Sequence, residues 1–533
     1  MPRGAGHRNG CRCDRRDILI EPRAFTQQAL KISAIALVLG AALLCTGPAS
    51  CRAAGPADDP GDHFVERAGS KLTLDGKPFR FGGPNIEWLG LEGYGPHDPM
   101  GPRFPDRFEV DDVFATAAEM GARAVRSQTM GDTVGCPVCI EPEEGRFNEA
   151  GFQSTDYALA TARKYGMRVI ITLIGDCATC TLGGIGQYAS WEKKSSPTDF
   201  FTDLALTAAF EKHIDAVLNH RNAITGVRYK DDPAILAWEN CNMCGLVSMF
   251  LGGKNGPAAV AAWVETIGKH IKSVDSRHLY LDTSGIFRGF SAVLDNPSTD
   301  AVAFEYYPHW DAAFGGGTHT TAATFTHDGA TVTGHGKVYI VNEFGWDRTD
   351  WATPDDLQQV LDTLARDPNV SGDLFWALQA HLANFGFQPI PAETRDLNFA
   401  EHGESGEWWA LYYPGVKTLV NTAEDMADRA QRLRAQAYTM AGEPVPRHMT
   451  PPAPVITVSG FSGFLAWRGS AGAVRYSIER FDPRTTTWKT VCDRCATDSD
   501  DPWLDPHPII FGARYRVTAW NADGVASPPS EPR

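Results

Sequence analysis

The chain lacks a hydrophobic run long enough to cross a bilayer, and it lacks an excess of basic residues. A membrane-spanning helix needs about 20 apolar residues; the apolar stretch over residues 32–44 is shorter, and no later segment is long and apolar enough. The 49 Lys and Arg residues are outnumbered by 65 Asp and Glu residues, for a formal net charge of −16. Because nucleic-acid binding needs a basic surface, this balance argues against a nucleic-acid partner.

What is present is ordinary globular composition. Of the 533 residues, 43% are apolar and 21% are charged, which excludes a disordered or coiled-coil chain. At about 150 residues per domain, this length predicts two to four domains.

Residues 1–54 have the layout of an export signal. Basic residues, among them Arg16 and Lys31, precede the apolar stretch, and small residues follow it. We therefore expect a secreted or periplasmic protein whose mature form does not span a membrane. Ala49-Ser50-Cys51 resembles a lipoprotein cleavage site, but Pro48 stands where an aliphatic residue is usual, so lipid anchoring is the less favoured alternative.

Eight of the 12 cysteines lie beyond this segment and form four CxxC pairs. The pairs are Cys136/Cys139, Cys177/Cys180, Cys241/Cys244 and Cys492/Cys495. An even number in an exported protein favours disulfides. Two CxxC pairs brought together would instead make a zinc site, and thioredoxin-like redox chemistry is a weaker alternative.

Between residues 62 and 441, apolar strand-like runs alternate with amphipathic helices. The predicted strands are Phe79–Pro84, Ala122–Ser127, Met167–Ile174, Ala234–Trp238, His278–Asp282, Ala301–Phe304, Val338–Val341 and Asp373–Leu378. The predicted helices include Asp156–Tyr165, Phe201–Asn219, Val260–Val274 and Asp355–Leu364, the last with Thr353 as N-cap and Pro354 at its first position. Eight strands that each precede a helix predict a (β/α)₈ TIM barrel.

A Pro-rich stretch over residues 442–454 is predicted to link this barrel to a small all-β sandwich domain over residues 455–533. Short alternating strands are expected at Phe464–Arg468, Arg475–Arg480, Trp488–Val491 and Tyr515–Asn521. This module resembles fibronectin type III domains, which are commonly spacers; sugar binding is the alternative function.

Polar residues follow the predicted barrel strands, where a barrel of this kind carries its reactive groups. In strand order they include Asn85, Glu87 and Trp88; Arg126; Asp176; Glu239 to Cys244; Glu305 to Trp310; Asn342 to Trp346; and Trp376.

This set resembles glycoside hydrolase family five, and in detail its endo-β-1,4-mannanase branch. The closest likeness lies in the segments 227–239 (VRYKDDPAILAWE), 72–79 (LTLDGKPF) and 307–310 (YPHW). The resemblance implies a barrel enzyme that acts on a β-linked polysaccharide or oligosaccharide and needs no metal or other cofactor.

By this resemblance Glu343, in a Glu-Phe-Gly motif, is the catalytic nucleophile. Arg126 would keep it ionised through a charged hydrogen bond, and Tyr307 would donate to the same carboxylate. Asn242 would bind the sugar 2-hydroxyl, and Trp376 would stack on the reacting sugar. Trp88, Trp310 and Trp346 are either sugar platforms or rim packing.

The sequence departs from the family pattern at the general acid/base. The family reads Trp-Glu-x-x-Asn-Glu at the fourth strand, whereas here Met243 takes the last position, and methionine has no proton to donate. Glu239 lies four residues earlier, roughly 13 Å deeper along a strand. Glu305 stands where the mannanase pattern has histidine, so Glu305 or Asp176 is predicted to supply the acid.

Three hypotheses follow. The first is an exported, monomeric β-mannanase-like hydrolase with Glu343 and Glu305 as its catalytic residues. The second is a carbohydrate-binding barrel that lacks the acid. The third, a metal- or thiol-dependent protein, rests on the CxxC pairs that follow three neighbouring strands.

Overall fold

The computed structural model describes most of the chain beyond the export segment. The described residues are 63–93, 101–175, 183–244, 256–285, 293–308, 320–345, 354–383, 410–416, 421–460, 463–498, 502–507 and 510–533. The predicted signal, Asp176, Cys177/Cys180, Trp310, Trp346 and Thr353 lie outside them. None of the helices in this part of the chain combines the length and apolarity that a bilayer crossing requires.

Eight parallel strands form the (β/α)₈ barrel that the sequence predicts. They are β4 (Phe81–Pro84), β5 (Ala124–Ser127), β6 (Arg168–Thr172), β7 (Ile235–Glu239), β8 (Leu279–Asp282), β9 (Ala301–Tyr306), β10 (Val338–Phe344) and β11 (Val370–Phe375). Their order is β4-β11-β10-β9-β8-β7-β6-β5. A parallel bridge between Asn85 and Arg126 joins the first strand to the second, and the Ile86 amide donates to the Arg126 carbonyl at 2.8 Å. A small antiparallel sheet, β1–β3 (Val65–Ala68, Lys71–Leu74, Lys77–Pro78), precedes the barrel.

Helices accompany the barrel strands in the described chain. They are α1 (Arg107–Glu119), α2 (Gln153–Lys164), α3 (Gly184–Trp191), α4 (Leu204–Asn219), α5 (Pro257–Val274), α6 (Ala322–Gly334), α7 (Pro354–Arg366) and α8 (Ala423–Ala441). Helix α7 begins at Pro354, as its sequence predicts, and α1 starts with a capping box between Asp106 and Glu109. The structure differs most from prediction at the last strand, β11, which begins three residues before Asp373.

The barrel interior is apolar near the start of the strands and polar near their ends. Side chains two residues apart share a face of a strand, so the apolar residues Ala124, Ile170, Ala237, Ala303 and Ile340 lie below polar ones. Those polar residues are Arg126, Thr172, Glu239, Glu305 and Asn342, and all ten are buried. The apolar tier stabilises the barrel and leaves the polar tier at the end where barrel enzymes carry their sites.

Gly83 permits the close approach of the first two strands. A Cβ atom at this position would lie 2.0 Å from the carbonyl oxygen of Ala124, far inside contact distance. Any larger residue would therefore push β4 away from β5 and from the Asn85–Arg126 bridge.

The C-terminal part forms the predicted all-β sandwich from two three-stranded antiparallel sheets. One contains β12 (Val455–Ser459), β13 (Phe464–Arg468) and β16 (Trp503–Leu504); the other contains β14 (Arg475–Asp482), β15 (Thr487–Ala496) and β17 (Arg514–Trp520). Their facing sides enclose a separate core around Trp467, Tyr476 and Val517. Two of these strands were not predicted from the sequence: β12, which directly follows the Pro-rich stretch, and β16, which has only two residues.

That Pro-rich stretch contacts both domains. Glu119, at the end of α1, accepts hydrogen bonds from the His448 ring at 2.6 Å and from the Met449 amide at 2.8 Å. Asn521 of the sandwich donates to the carbonyl oxygens of His448 and Met449. These hydrogen bonds hold His448 and Met449 of the stretch against both the barrel and the sandwich.

Three of the four CxxC pairs are disulfides within the motif: Cys136–Cys139, Cys241–Cys244 and Cys492–Cys495. The fourth, Cys177/Cys180, lies outside the described residues.

We predict that Asp373→Asn stabilises the protein at pH 8 and changes stability little at pH 4. Burial raises the pKa of Asp373 to about 7, although Gln436 donates to its carboxylate at 3.0 Å and Arg80 attracts it. The folded state thus retains a proton that the unfolded chain loses near pH 4, so the free energy of unfolding falls as the pH rises from about 4 to about 7. Asparagine mimics the protonated form and removes this fall.

Urea denaturation at the two pH values measures the effect, with Asp362→Asn, whose side chain is 40% exposed, as the control. An equal difference from wild type at pH 4 and pH 8 would contradict the assignment.

Candidate active site

Arg126 lies at the centre of the polar tier. It is fully buried near the end of β5, and its five N–H groups all have acceptors. Nε and Nη2 donate to the two oxygens of Glu239 at 2.5 and 2.6 Å, Nη2 also to Asn242 Oδ1 at 2.7 Å, and Nη1 to Asn85 Oδ1 at 2.9 Å and to Glu343 Oε1. Burial alone would lower the pKa of Arg126, but the carboxylates of Glu239 and Glu343 raise it above its usual value.

The Glu239 carboxylate is fully occupied by hydrogen bonds within the protein. Besides the two bonds from Arg126, it accepts hydrogen bonds from the hydroxyls of Thr172 and Thr283, each at 3.0 Å. With both oxygens engaged and no exposed surface, this carboxylate is poorly placed to exchange protons with a substrate.

A β-bulge aims Glu343 into the barrel. On β10, Val341 pairs with Phe304 and Glu343 pairs with Glu305, so Asn342 is an extra residue. Such a bulge lets two consecutive side chains point to the same side and commonly re-aims a side chain beside an active site. Both Asn342 and Glu343 therefore join the polar tier.

Three donors hold the Glu343 carboxylate. Oε1 accepts from Arg126 and from Gln128 Nε2 at 3.2 Å, and Oε2 accepts from the Tyr307 hydroxyl. Burial raises the pKa of Glu343, while Arg126 and Tyr307 oppose the shift. The donors on both oxygens fix the carboxylate in position at the strand end.

Glu305 is the immediate neighbour of Glu343. The two residues are partners in the β9–β10 register, and paired strands lie about 4.8 Å apart. Glu305 is buried and its charge also reaches Arg126. The site thus places three carboxyl groups, those of Glu239, Glu305 and Glu343, around one guanidinium.

The structure also brings Asn242 and Tyr307 to this place, as the sequence predicts. Both are half-buried, and the Asn242 backbone is held by a 2.8 Å bond to the Ile174 carbonyl. Met243 comes next, half-buried and with a left-handed φ of 58°. Its side chain thus follows Asn242 at the strand end but offers no ionisable group.

Two of the four candidate site tryptophans are described, and they differ in their surroundings. Trp376 follows β11, is half-buried, and donates its amide to the Phe344 carbonyl at 3.0 Å, which places it beside the Glu343 strand. Trp88 is 4% exposed and belongs to the apolar cluster between strands and helices. Packing accounts for Trp88, so its role in sugar binding stays a prediction.

Gln128 is the site residue that the sequence reasoning missed. It lies two positions after Arg126, and the twofold alternation of a strand could have placed it on the same face. Its amide donates to Glu343, while its own Oε1 is buried without a hydrogen-bond partner in the described structure.

Within the described residues, no group of three or more His, Cys, Asp or Glu side chains is arranged to hold a metal ion. The described CxxC sulfurs are paired within their own motifs.

We predict that Arg126→Met destabilises the protein by about 3–5 kcal/mol, the usual cost of leaving a buried charge without its partner. Urea denaturation measures it. The control is Arg366→Met, which removes an arginine whose side chain is 79% exposed and pairs with Asp362; its expected cost is within about 1 kcal/mol. Similar losses in the two variants would show that Arg126 does not stabilise the buried carboxylates.

Comparisons with known proteins agree with this geometry. Residues 62–292 match the family described as glycoside hydrolase family 5 β-mannosidase-like. A mannan endo-1,4-β-mannosidase of Arabidopsis thaliana is 34% identical over 235 residues, which cover 43% of this chain and 51% of that protein. One from Oryza sativa subsp. japonica is 30% identical over 317 residues, covering 54% and 65% respectively. The chain thus spans about half the length of most of these curated relatives.

Solved structures show the same fold. The endo-1,4-β-mannanase of Rhizomucor miehei aligns with a TM-score of 0.54 at 22% identity, covering 71% of this chain and all of that one. That of Thermotoga petrophila aligns with a TM-score of 0.51 at 19% identity, covering 86% and 98%. The protein is therefore a (β/α)₈ barrel similar in sequence, over residues 62–292, to the β-mannosidase-like glycoside hydrolases of family 5.

Proposed function

We propose that this protein is an exported glycoside hydrolase that cleaves β-1,4-linked, mannan-type polysaccharide, with Glu343 as nucleophile and Glu305 as general acid/base. The observation that carries the proposal is the Glu343 carboxylate, held by Arg126 and Tyr307 at the end of β10 with Glu305 paired beside it. The similarity to mannan endo-1,4-β-mannosidases supports the substrate class.

In the first step, a Glu343 oxygen attacks the anomeric carbon and the glycosidic C–O bond breaks. Glu305 gives its proton to the departing oxygen, and the sugar remains bound to Glu343 as an ester. Arg126 and Tyr307 hold the attacking carboxylate in position. In the second step, Glu305 takes a proton from water, the resulting hydroxide attacks the same carbon, and Glu343 is released.

Position supports Glu305 as the acid, because it is the register partner of Glu343 on the adjacent strand. Retaining hydrolysis needs two carboxyl groups about 5–5.5 Å apart, and the backbones of paired strands lie about 4.8 Å apart, so the two residues start from neighbouring positions. Asp176, the other candidate acid, lies outside the described residues.

Two supporting residues complete the proposed sugar site: Asn242 binds the sugar 2-hydroxyl, and Trp376 stacks on the sugar ring. Trp88 is retained as a candidate at the rim. We also infer a secreted or periplasmic monomer, which suits the disulfides at Cys136–Cys139 and Cys492–Cys495.

A second candidate is a carbohydrate-binding barrel without hydrolytic activity. Met243 favours it, because this residue occupies the position where the family resemblance expects the acid. Such a protein would keep Trp376 and Asn242 for binding and would lack proton donation to the leaving oxygen.

We expect Glu343→Gln to abolish release of reducing ends from mannan, because an amide oxygen is too weak a nucleophile to form the ester. Reducing-sugar assays measure the loss and thermal unfolding checks the fold. The matched control is Glu265→Gln on the exposed face of α5, which pairs only with Lys269 in the described contacts. Full activity in Glu343→Gln would disprove the nucleophile assignment.

We expect Glu305→Gln to slow mannan hydrolysis about 10²–10⁴-fold, the usual contribution of a general acid. With a dinitrophenyl β-mannoside, whose leaving group needs no proton, formation of the glycosyl ester should stay fast and added azide should accelerate turnover. Pre-steady-state release of dinitrophenol measures this.

The two candidate functions predict opposite results for mannan hydrolysis by the wild type and by the Met243→Glu variant. If wild type is inert on mannan and Met243→Glu creates activity, the binding-protein hypothesis is correct. Unchanged mannan hydrolysis in Glu305→Gln would instead show that the acid lies elsewhere.

A further inference from the structure

The segment after Trp376 runs from the site to the C-terminal sandwich. The Leu378 amide donates to the Asn85 carbonyl, and the Gln379 amide to the Leu411 carbonyl, each at 3.0 Å. Five residues after Trp376, the chain buries His381 completely. The backbone that carries Trp376 is thus fixed at its start by the barrel and at its end by His381.

His381 lies between carboxylates of the two domains. Its backbone amide and its Nδ1 contact Asp112 Oδ2 of helix α1, at 2.9 and 2.8 Å. On the other side, Nε2 lies 3.2 Å from Asp498 Oδ2 of the sandwich. Burial by itself lowers the pKa of an imidazole, but the two carboxylates raise the pKa of His381 to about 10, so the ring is a cation between two anions at neutral pH.

The neighbouring contacts are equally close. A Cβ atom on Gly469, which follows β13, would lie 1.9 Å from the His381 ring. Arg468 donates to the Ala383 carbonyl and places its guanidinium 4.9 Å from the Phe108 ring of α1. The Ala383 amide donates to Glu109 at 3.1 Å. Residues 381–383 are therefore held between α1 and the sandwich.

We propose that the C-terminal sandwich positions the segment that carries Trp376, acting through the Asp112–His381–Asp498 bridge, and is not a passive spacer. The role in sugar binding rests on the proposed function; the role in ordering the segment does not. His381 and Asp498 are positioning residues, since they act on the site through the backbone.

We expect this positioning to affect sugar binding more than the chemical step. A platform that is ordered before the sugar arrives does not lose conformational entropy on binding. Without the bridge, part of the binding energy would be spent on ordering residues 376–383. KM should then rise while kcat, which depends on Glu343 and its donors, should change little.

The test compares Asp498→Asn with Asp505→Asn in the full chain. Both aspartates are buried in the sandwich and accept a tyrosine hydroxyl at 2.9 Å, Asp498 from Tyr476 and Asp505 from Tyr515. Asp505 pairs with Arg480 of the sandwich at 2.7 Å, whereas Asp498 faces His381. Asp505→Asn thus controls for loss of sandwich stability.

Hydrogen exchange of the amides in residues 376–383 gives the first readout. We expect exchange about tenfold faster in Asp498→Asn, the factor that corresponds to losing one charged hydrogen bond, and unchanged exchange in Asp505→Asn. Equal exchange in the two variants would overturn the proposal, whether or not the protein hydrolyses mannan.

The second readout is the split between KM and kcat on a mannooligosaccharide. Asp498→Asn should raise KM several-fold with kcat nearly unchanged, and should add nothing in a Trp376→Ala background. Faster exchange with an unchanged KM in an active enzyme would overturn the link to the site. If wild type neither binds nor cleaves the sugar, the proposed function fails, and the exchange comparison alone decides the positioning role.

Discussion

The polar end of the barrel depends on one guanidinium that balances buried carboxylates. Arg126 contacts Glu239 and Glu343, which reach it from strands on different sides of the barrel. An isolated buried charge is unfavourable and would be neutralised by gain or loss of a proton. Each buried charge here is therefore stabilised by its oppositely charged partners. These contacts form only when the barrel strands are aligned in one particular register. The bridge between Asn85 and Arg126, which joins the first strand to the second, belongs to that register.

This constraint distinguishes the buried Glu239 from Glu343, the proposed nucleophile. Both oxygens of Glu239 accept hydrogen bonds, from Arg126 and from the hydroxyls of two threonines. Glu343 shares the same cation but lies nearer the strand ends, because the bulge at Asn342 shifts it by one residue. The two glutamates carry the same chemical group, but Arg126 and two threonines donate four hydrogen bonds to the Glu239 oxygens, whereas three donors hold the Glu343 oxygens.

The barrel strands could be predicted from the sequence, because strand alternation and the ends of parallel strands follow simple periodic rules. The contacts of Arg126 and Tyr307 with Glu343 were implied only by the family resemblance. The bulge at Asn342 could not be foreseen, since it arises from pairing with β9. Gln128 followed a strand taken to end at Ser127, and His381 has no local pattern, because its partners Asp112 and Asp498 are distant in sequence.

Met243 stands where the family resemblance expects the acid, and the proposed mechanism assigns that role to another residue. A proton donor for glycoside cleavage must lie close enough to the nucleophile to span one glycosidic bond, and Glu239 is already held by Arg126 and two threonines. Glu305 lies on the strand next to Glu343, as its partner in the β9–β10 register. Under the proposed mechanism, in-line displacement sends the leaving oxygen away from the attacking Glu343 oxygen. Glu305 can therefore act as the acid only if the glycosidic bond lies between the two carboxyl groups, and this requirement places the leaving sugar on the β9 side of the site.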